Sequence, residues 1–167
     1  TVFSEAQYAY GDKDYKRVRE LTNQLLKVAP NSVDVLELSG LAEYHQGRFV
    51  EAENFLSRAL KAAPGLVGSR RLLAQTYLQT MQPAKAIEVL QPLTEGKAAD
   101  AISLAMLGEA WLMAGDLKRS DAAFAQGMRV APQSGQLQTA SALAQLLTGN
   151  NLAAINQLER AVVLDKG

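Results

Sequence analysis

The sequence predicts an all-α fold, an array of about five helical hairpins and ten helices. Three observations carry that prediction. The chain repeats at a period of 34 residues with no insertion, so that Ala6, Gly40, Ala74, Gly108 and Ala142 share one column. Proline marks the repeat ends at Pro30, Pro64 and Pro132, and Ala98 and Lys166 complete that column. A turn column reads Lys13, Gly47, Met81, Gly115 and Gly149. Two more columns support the register. A small one runs Val18, Ala52, Ala86, Ser120, Ala154, and a bulky one runs Thr22, Leu56, Leu90, Phe124, Leu158.

Each column has a physical role in a hairpin. Two antiparallel helices approach to about 8–10 Å only where the crossing side chains permit it. Gly40 facing Ala52, and Gly108 facing Ser120, are expected to supply that close crossing. Glycine in the turn column ends the first helix in a left-handed conformation. Asp14, Asp116 and Asn150 then stand where an N-cap oxygen accepts from the next helix. Proline stops the second helix. Asn31 with Ser32, Asp100 and Ser134 offer caps for the helix that follows.

In chain order, the repeats cover residues 1–32, 33–66, 67–100, 101–134 and 135–167 as one array. Repeat one has helices over 1–11 and 15–28, and repeat two over 33–46 and 49–62. Repeat three, with helices over 68–80 and 83–94, departs most from the pattern. Pro83 suits a first helical turn, where the missing N–H costs nothing. Pro92 lies inside that helix and is expected to kink it or end it early. Repeat four runs from 101 to 131, and repeat five begins near 135. The chain starts in mid-pattern at Thr1, which points to a piece of a longer array.

Composition narrows the function classes. Of 167 residues, 48% are apolar and 20% charged, the balance of a folded protein rather than a disordered one. Lys plus Arg and Asp plus Glu number 17 each, so the chain lacks the cationic excess of a nucleic-acid or polybasic membrane-surface module. There is no cysteine, hence no disulfide, thiolate metal site or cysteine nucleophile. No apolar run is long enough to insert in a membrane. His45 is the only histidine, without a nucleophile and orienting partner in the pattern, and it reads as a polar residue at a surface rim. No metal-ligand spacing or phosphate loop is found, so neither cofactor nor catalytic set is expected. The chain reads as non-enzymatic.

The stretches "LGEAWLMAGD", "SGLAEYHQGRFVEAENFLSRALKAAP" and "LLAQTYLQTMQPAKAIEVL" resemble the tetratricopeptide repeat family across essentially the whole chain. Glu5 and Ser39 depart from its expected Leu, and Arg70 and Gln138 from its large apolar residue near the helix start. The resemblance implies a right-handed superhelical solenoid with a concave groove lined by the first helices. It also implies that Trp111 and Tyr77 pack between the two helices of their hairpins. Carried over position by position, the groove residues are Phe3, Gln7 and Tyr10 in repeat one, and Glu37, Leu41, Tyr44 and His45 in repeat two. Repeat three supplies Arg71, Gln75 and Leu78, and repeat four Glu109, Leu112 and Met113. The matching positions of repeat five include Leu143, Leu146 and Leu147, which either line the groove or pack on a neighbouring repeat. Family members that clamp a chaperone tail use Lys, Asn and Arg at positions held here by Phe3, Gln7, Leu41, Gly68 and Leu72, so that clamp is absent.

The function implied is a protein-interaction scaffold that holds a partner segment in the groove. Residues 86–93 and the unit at 107–116 are also similar to the long repeat lipoproteins of bacterial exosortase (PEP-CTERM) and exopolysaccharide systems. That likeness implies an outer-membrane-anchored, periplasmic location, against a cytoplasmic one without it. The alternative is a non-catalytic portion of a larger enzyme or export complex, positioning a substrate. Apolar residues Val162, Val163 and Leu164 stand where natural arrays place a polar capping helix, so a fragment less stable than its parent, or one that pairs its ends with a second copy, is expected.

Overall fold

The computed structural model describes residues 1–96 and 99–164. Within them every regular element is a helix: α1 (Val2–Gly11), α2 (Tyr15–Val28), α3 (Val33–His45), α4 (Phe49–Ala62), α5 (Val67–Gln79), α6 (Pro83–Thr94), α7 (Ala101–Met113), α8 (Leu117–Val130), α9 (Gly135–Leu147) and α10 (Asn151–Leu164). The end-column residues Ala98 and Lys166, and the chain end at Gly167, lie outside the described residues. The helices fall into two compact units, Thr1–Thr80 with α1 to α5 and Met81–Gly167 with α6 to α10.

The first helices end as the turn column requires. Gly47, Gly115 and Gly149 have φ of 71°, 80° and 81°. Lys13 and Met81 take the same left-handed conformation, at 60° and 57°, although a side chain there is strained. The position dictates the conformation, and glycine only makes it easy. Past the turn, the amides of Asp14, Arg48, Asp116 and Asn150 donate five residues back to Ala9, Glu43, Trp111 and Gln145 carbonyls, each at 2.9 Å. This wrap satisfies carbonyls that the helix end leaves free.

Capping follows the sequence at Asp14, Asp100, Asp116 and Ser134. The Asp14 and Asp116 carboxylates accept from the amides of Arg17 and Arg119, both at 3.0 Å. Asp100 accepts from Ser103 at 2.8 Å and Ser134 from Leu137 at 3.2 Å. Ser32 is the N-cap of α3 but makes no side-chain capping bond. Pro92 stays inside α6, and the helix closes at Thr94 after 12 residues, whereas α4 and α8 run for 14.

In the first unit each helix packs on the next, and α3 also touches α1 and α5. In the second, α6 to α10 pack in succession and α7 touches α9. First helices of successive hairpins are therefore neighbours within a unit. Cores form along the columns. Ala6, Ala9, Val18, Leu21, Leu38 and Ala42 make one cluster. Phe124, Leu137 and Ala144 make another, flanked by Leu112 and Met128.

The close crossing differs in detail from the sequence expectation. A Cβ on Gly40 would lie 2.7 Å from Leu56 Cγ, and one on Gly108 would lie 2.8 Å from the Phe124 ring. The glycines therefore accommodate the bulky column, one helical turn beyond the small one. Ser120 still meets Gly108, since its hydroxyl donates to the Gly108 carbonyl at 2.8 Å.

Candidate functional site

The first unit sets α1, α3 and α5 side by side, and their outward positions form the candidate surface. Gln7 and His45 are exposed, while Tyr10, Glu37, Leu41, Tyr44, Arg71 and Gln75 are half-buried. Phe3 is also half-buried and rests on the first core cluster, so it offers an edge rather than a full side chain. Leu78 does not belong to the surface. It is 4% exposed, because the apolar arc of α5 is wide enough to carry that position into the core. The Ser69 hydroxyl donates to Glu37 Oε1, which ties α5 to α3 at the centre of the face.

At the turn edge of the face, rings gather around the single histidine. His45 Nε2 lies 3.1 Å from the Tyr10 hydroxyl. Its ring stacks on Tyr15 at 5.3 Å with planes 12° apart, and Tyr44 meets it edge-on. Tyr44 also contacts Phe49 at 5.6 Å. Burial, reinforced by the neighbouring Tyr15, pushes the Tyr10 hydroxyl above its ordinary pKa. Tyr15 and Phe49 escaped the sequence reading. Each is the first residue of a second helix, opposite the end of a first helix, and their shared place 34 residues apart was the available signal.

Glu43 is the other residue the sequence reading passed over. It is buried in the column that reads Ala9, Glu43, Tyr77, Trp111, Gln145. Arg48 Nε approaches its Oε2 at 3.1 Å and Arg19 Nε its Oε1 at 3.9 Å. The Arg48 contact is close but off the hydrogen-bond direction, since neither Oε2 nor Nε has a hydrogen-bonding partner among the described residues. Desolvation therefore outweighs the attraction of Arg48 and Arg19, and the carboxyl is raised above its ordinary pKa. Repeat two thus moves a carboxylate from the capping column, where Arg48 stands, into the aromatic column. The signal in the sequence was a charge in a column of packing residues.

In the second unit Glu109 is exposed, and Leu112 and Met113 are half-buried. Loss of hydration raises the Glu109 carboxyl, although its exposure keeps it a surface group. Leu112 packs against the Phe124 cluster and contributes mainly to the core. Tyr77 is buried, and its hydroxyl donates to Glu53 at 3.1 Å. Trp111 is only half-buried, with the Arg119 guanidinium 4.6 Å above its ring. Leu143, Leu146 and Leu147 are exposed. Among the described residues no group of three or more His, Cys, Asp or Glu side chains is placed to hold a metal, and no helix is long and apolar enough to cross a membrane.

Known proteins agree with this architecture. Two tetratricopeptide repeat models match residues 3–67 and 43–107. No curated protein matches the chain by sequence. Among solved structures, MamA 41-end from Desulfovibrio magneticus RS-1 superposes with a TM-score of 0.90 at 16% identity, over 99% of this chain and 93% of that one. MamA AMB-1 gives 0.83 at 22%, over 100% and 99%. A further MamA crystal structure gives 0.86 at 17%, over 96% and 94%. At these identities the likeness speaks for the fold alone. With helical hairpins at a fixed period, first helices side by side, and family models spanning residues 3–107, the chain belongs to the tetratricopeptide repeat family.

Proposed function

We propose that this chain is a non-enzymatic scaffold that captures a segment of a protein partner on the α1, α3 and α5 face of its first unit. One observation carries the reading. Three adjacent first helices present the exposed Gln7 and His45 beside the half-buried Leu41, Tyr44 and Gln75, a mix of apolar area and hydrogen-bonding groups on one face. Tyrosine gives a partner large contact area at low entropy cost. A face of this kind suits a standard interface of about 1,600 Å² in total. The test is a selection of peptides from a random display library on the folded chain. Leu41→Glu and Tyr44→Glu are expected to abolish capture while leaving the helical circular dichroism unchanged. Full capture by both folded variants would remove the face from consideration.

The partner system follows from the second resemblance. The likeness of residues 86–93 and 107–116 to exosortase-system repeat lipoproteins supports a place in bacterial envelope sorting or exopolysaccharide machinery. Fractionation of cells carrying the whole gene product tests this: recovery in the envelope is expected, and recovery only in the cytosol contradicts it.

A further inference from the structure

We propose that the second unit carries a separate docking face, formed by α7 and α9, for an amphipathic helix of a protein partner that brings a Lys or Arg to Glu109 and an apolar stripe to the leucines of α9.

The face has its origin in the repeat columns. α7 and α9 pack side by side, so residues 34 apart stand as neighbours. The column of Gln7, Leu41 and Gln75 continues as Glu109 and Leu143, and the column of Gly11, His45 and Gln79 continues as Met113 and Leu147. The second of these columns turns from polar to apolar between the units. Leu143, Leu146 and Leu147 are 54%, 41% and 74% exposed. Their i, i+3, i+4 spacing puts them on one stripe of α9. α7 and α9 have 13 residues each, and the single charged side chain in either is Glu109.

Glu109 decides the chemistry of the occupant. Loss of hydration alone raises its carboxyl above the ordinary pKa, and among the described residues no cation offsets it. A neutral apolar partner would complete the desolvation and leave the carboxylate unpaired, which is costly. An acidic partner would set like charges together. An ammonium or guanidinium replaces the lost water with a charge-assisted hydrogen bond, while its neighbours on the partner cover Met113 and the leucines. The form of the partner follows from its backbone. An extended segment would lay unpaired amides on this apolar surface, whereas a helix satisfies its own. Glu109 and Met113 stand about 6 Å apart along α7, as do Leu143 and Leu147 along α9. A helix lying between them meets these residues with its positions i, i+3, i+4 and i+7. The face is independent of the one on the first unit.

The experiment titrates the chain, labelled at its Leu and Met methyls, with a blocked peptide of about 15 residues, long enough to hold a helix. The peptide has a Leu and Ala stripe with one central Lys on an otherwise Gln background. Methyl shifts are expected at Met113, Leu143 and Leu147. Norleucine in place of the Lys is expected to weaken binding about two- to fivefold, and Glu in its place to weaken it further. Glu109→Gln, a surface change of nearly the same shape, is expected to bind the Lys and norleucine peptides equally, and Glu109→Lys to prefer the Glu peptide. Leu147→Lys is expected to remove the shifts with the helical circular dichroism intact. Tyr44→Glu is expected to leave the titration unchanged, so that failure of the first-unit face and failure of this face are told apart. Absence of shifts in the wild-type chain, or equal affinity for the Lys and norleucine peptides, overturns the proposal. Methyl shifts caused by phosphatidylcholine vesicles and not by the peptide would mark a membrane-facing surface and overturn it as well.

Discussion

Replacing Gly108 by alanine isolates the closest helix crossing in the second unit. The added Cβ would stand 2.8 Å from Cε1 and Cζ of Phe124 and 2.9 Å from Cδ1. Comfortable carbon contacts lie near 3.5–4.0 Å, so one side must yield by about 0.7–1.2 Å. Phe124 is 2% exposed and clustered with Leu137 and Ala144, which leaves its ring little room to retreat. Overpacking of this kind costs about 1–3 kcal/mol. Alanine returns about 1 kcal/mol through helix propensity. The net loss expected is about 0–2 kcal/mol, a melting shift of up to about 8 °C for a chain of this size. Gly40→Ala meets the more adaptable Leu56, and the last hairpin already carries Ala142 and Leu158 in the same two columns, so its cost should be smaller. Gly68, with nothing within 4 Å of an added Cβ, serves as the control and should gain stability as alanine. The assay is thermal unfolding followed by circular dichroism, with Phe124→Leu added to Gly108→Ala as a rescue. A Gly108→Ala variant as stable as Gly68→Ala would refute the crossing geometry.

The remaining predictions use the same structure. Because its folded pKa is raised, Glu43 favours the fold fully below its ordinary value of 4.5 and loses that contribution as pH rises through the folded value. Glu43→Gln should therefore match or exceed the wild type in urea unfolding at pH 7 and lose the advantage near pH 4, and a large loss at pH 7 would show that the Arg48 pair dominates instead. Asp116→Ala should cost about 1 kcal/mol in the same assay by removing the cap on Arg119, and no loss would count against that bond. Lys13→Gly and Met81→Gly relieve left-handed strain of about 1–2 kcal/mol each, partly offset by the greater freedom of glycine in the unfolded chain, so a small gain is expected and a loss contradicts the turn assignment.

The period made the helix boundaries legible, because each column encodes a local requirement: a turn that must be left-handed, an amide that needs a cap, a stop. Lys13 and Met81 show how far this reaches, since the frame placed the turn where the residue type argued against it. What a single repeat could not show was which residue of the facing helix lies over the small column. Ser120 and Phe124 are one turn apart on the same face, and side-chain length decides that the ring reaches Gly108. Leu78 was read as surface because position alone assigns a face, whereas the buried arc of a helix widens with its neighbours. Glu43 and the rings around His45 depend on contacts between repeats, Arg19 with Glu43 and Tyr10 with His45, which no period within one repeat contains.

The central claim is that the first-helix face of the first unit receives the partner. The most direct measurement is an NMR shift map with a peptide selected on the folded chain. The account predicts perturbations at Gln7, Leu41, Tyr44 and Gln75, all lost in Tyr44→Glu. Perturbations confined to the outer positions of α2 and α4, such as Asn54 and Lys61, would contradict it.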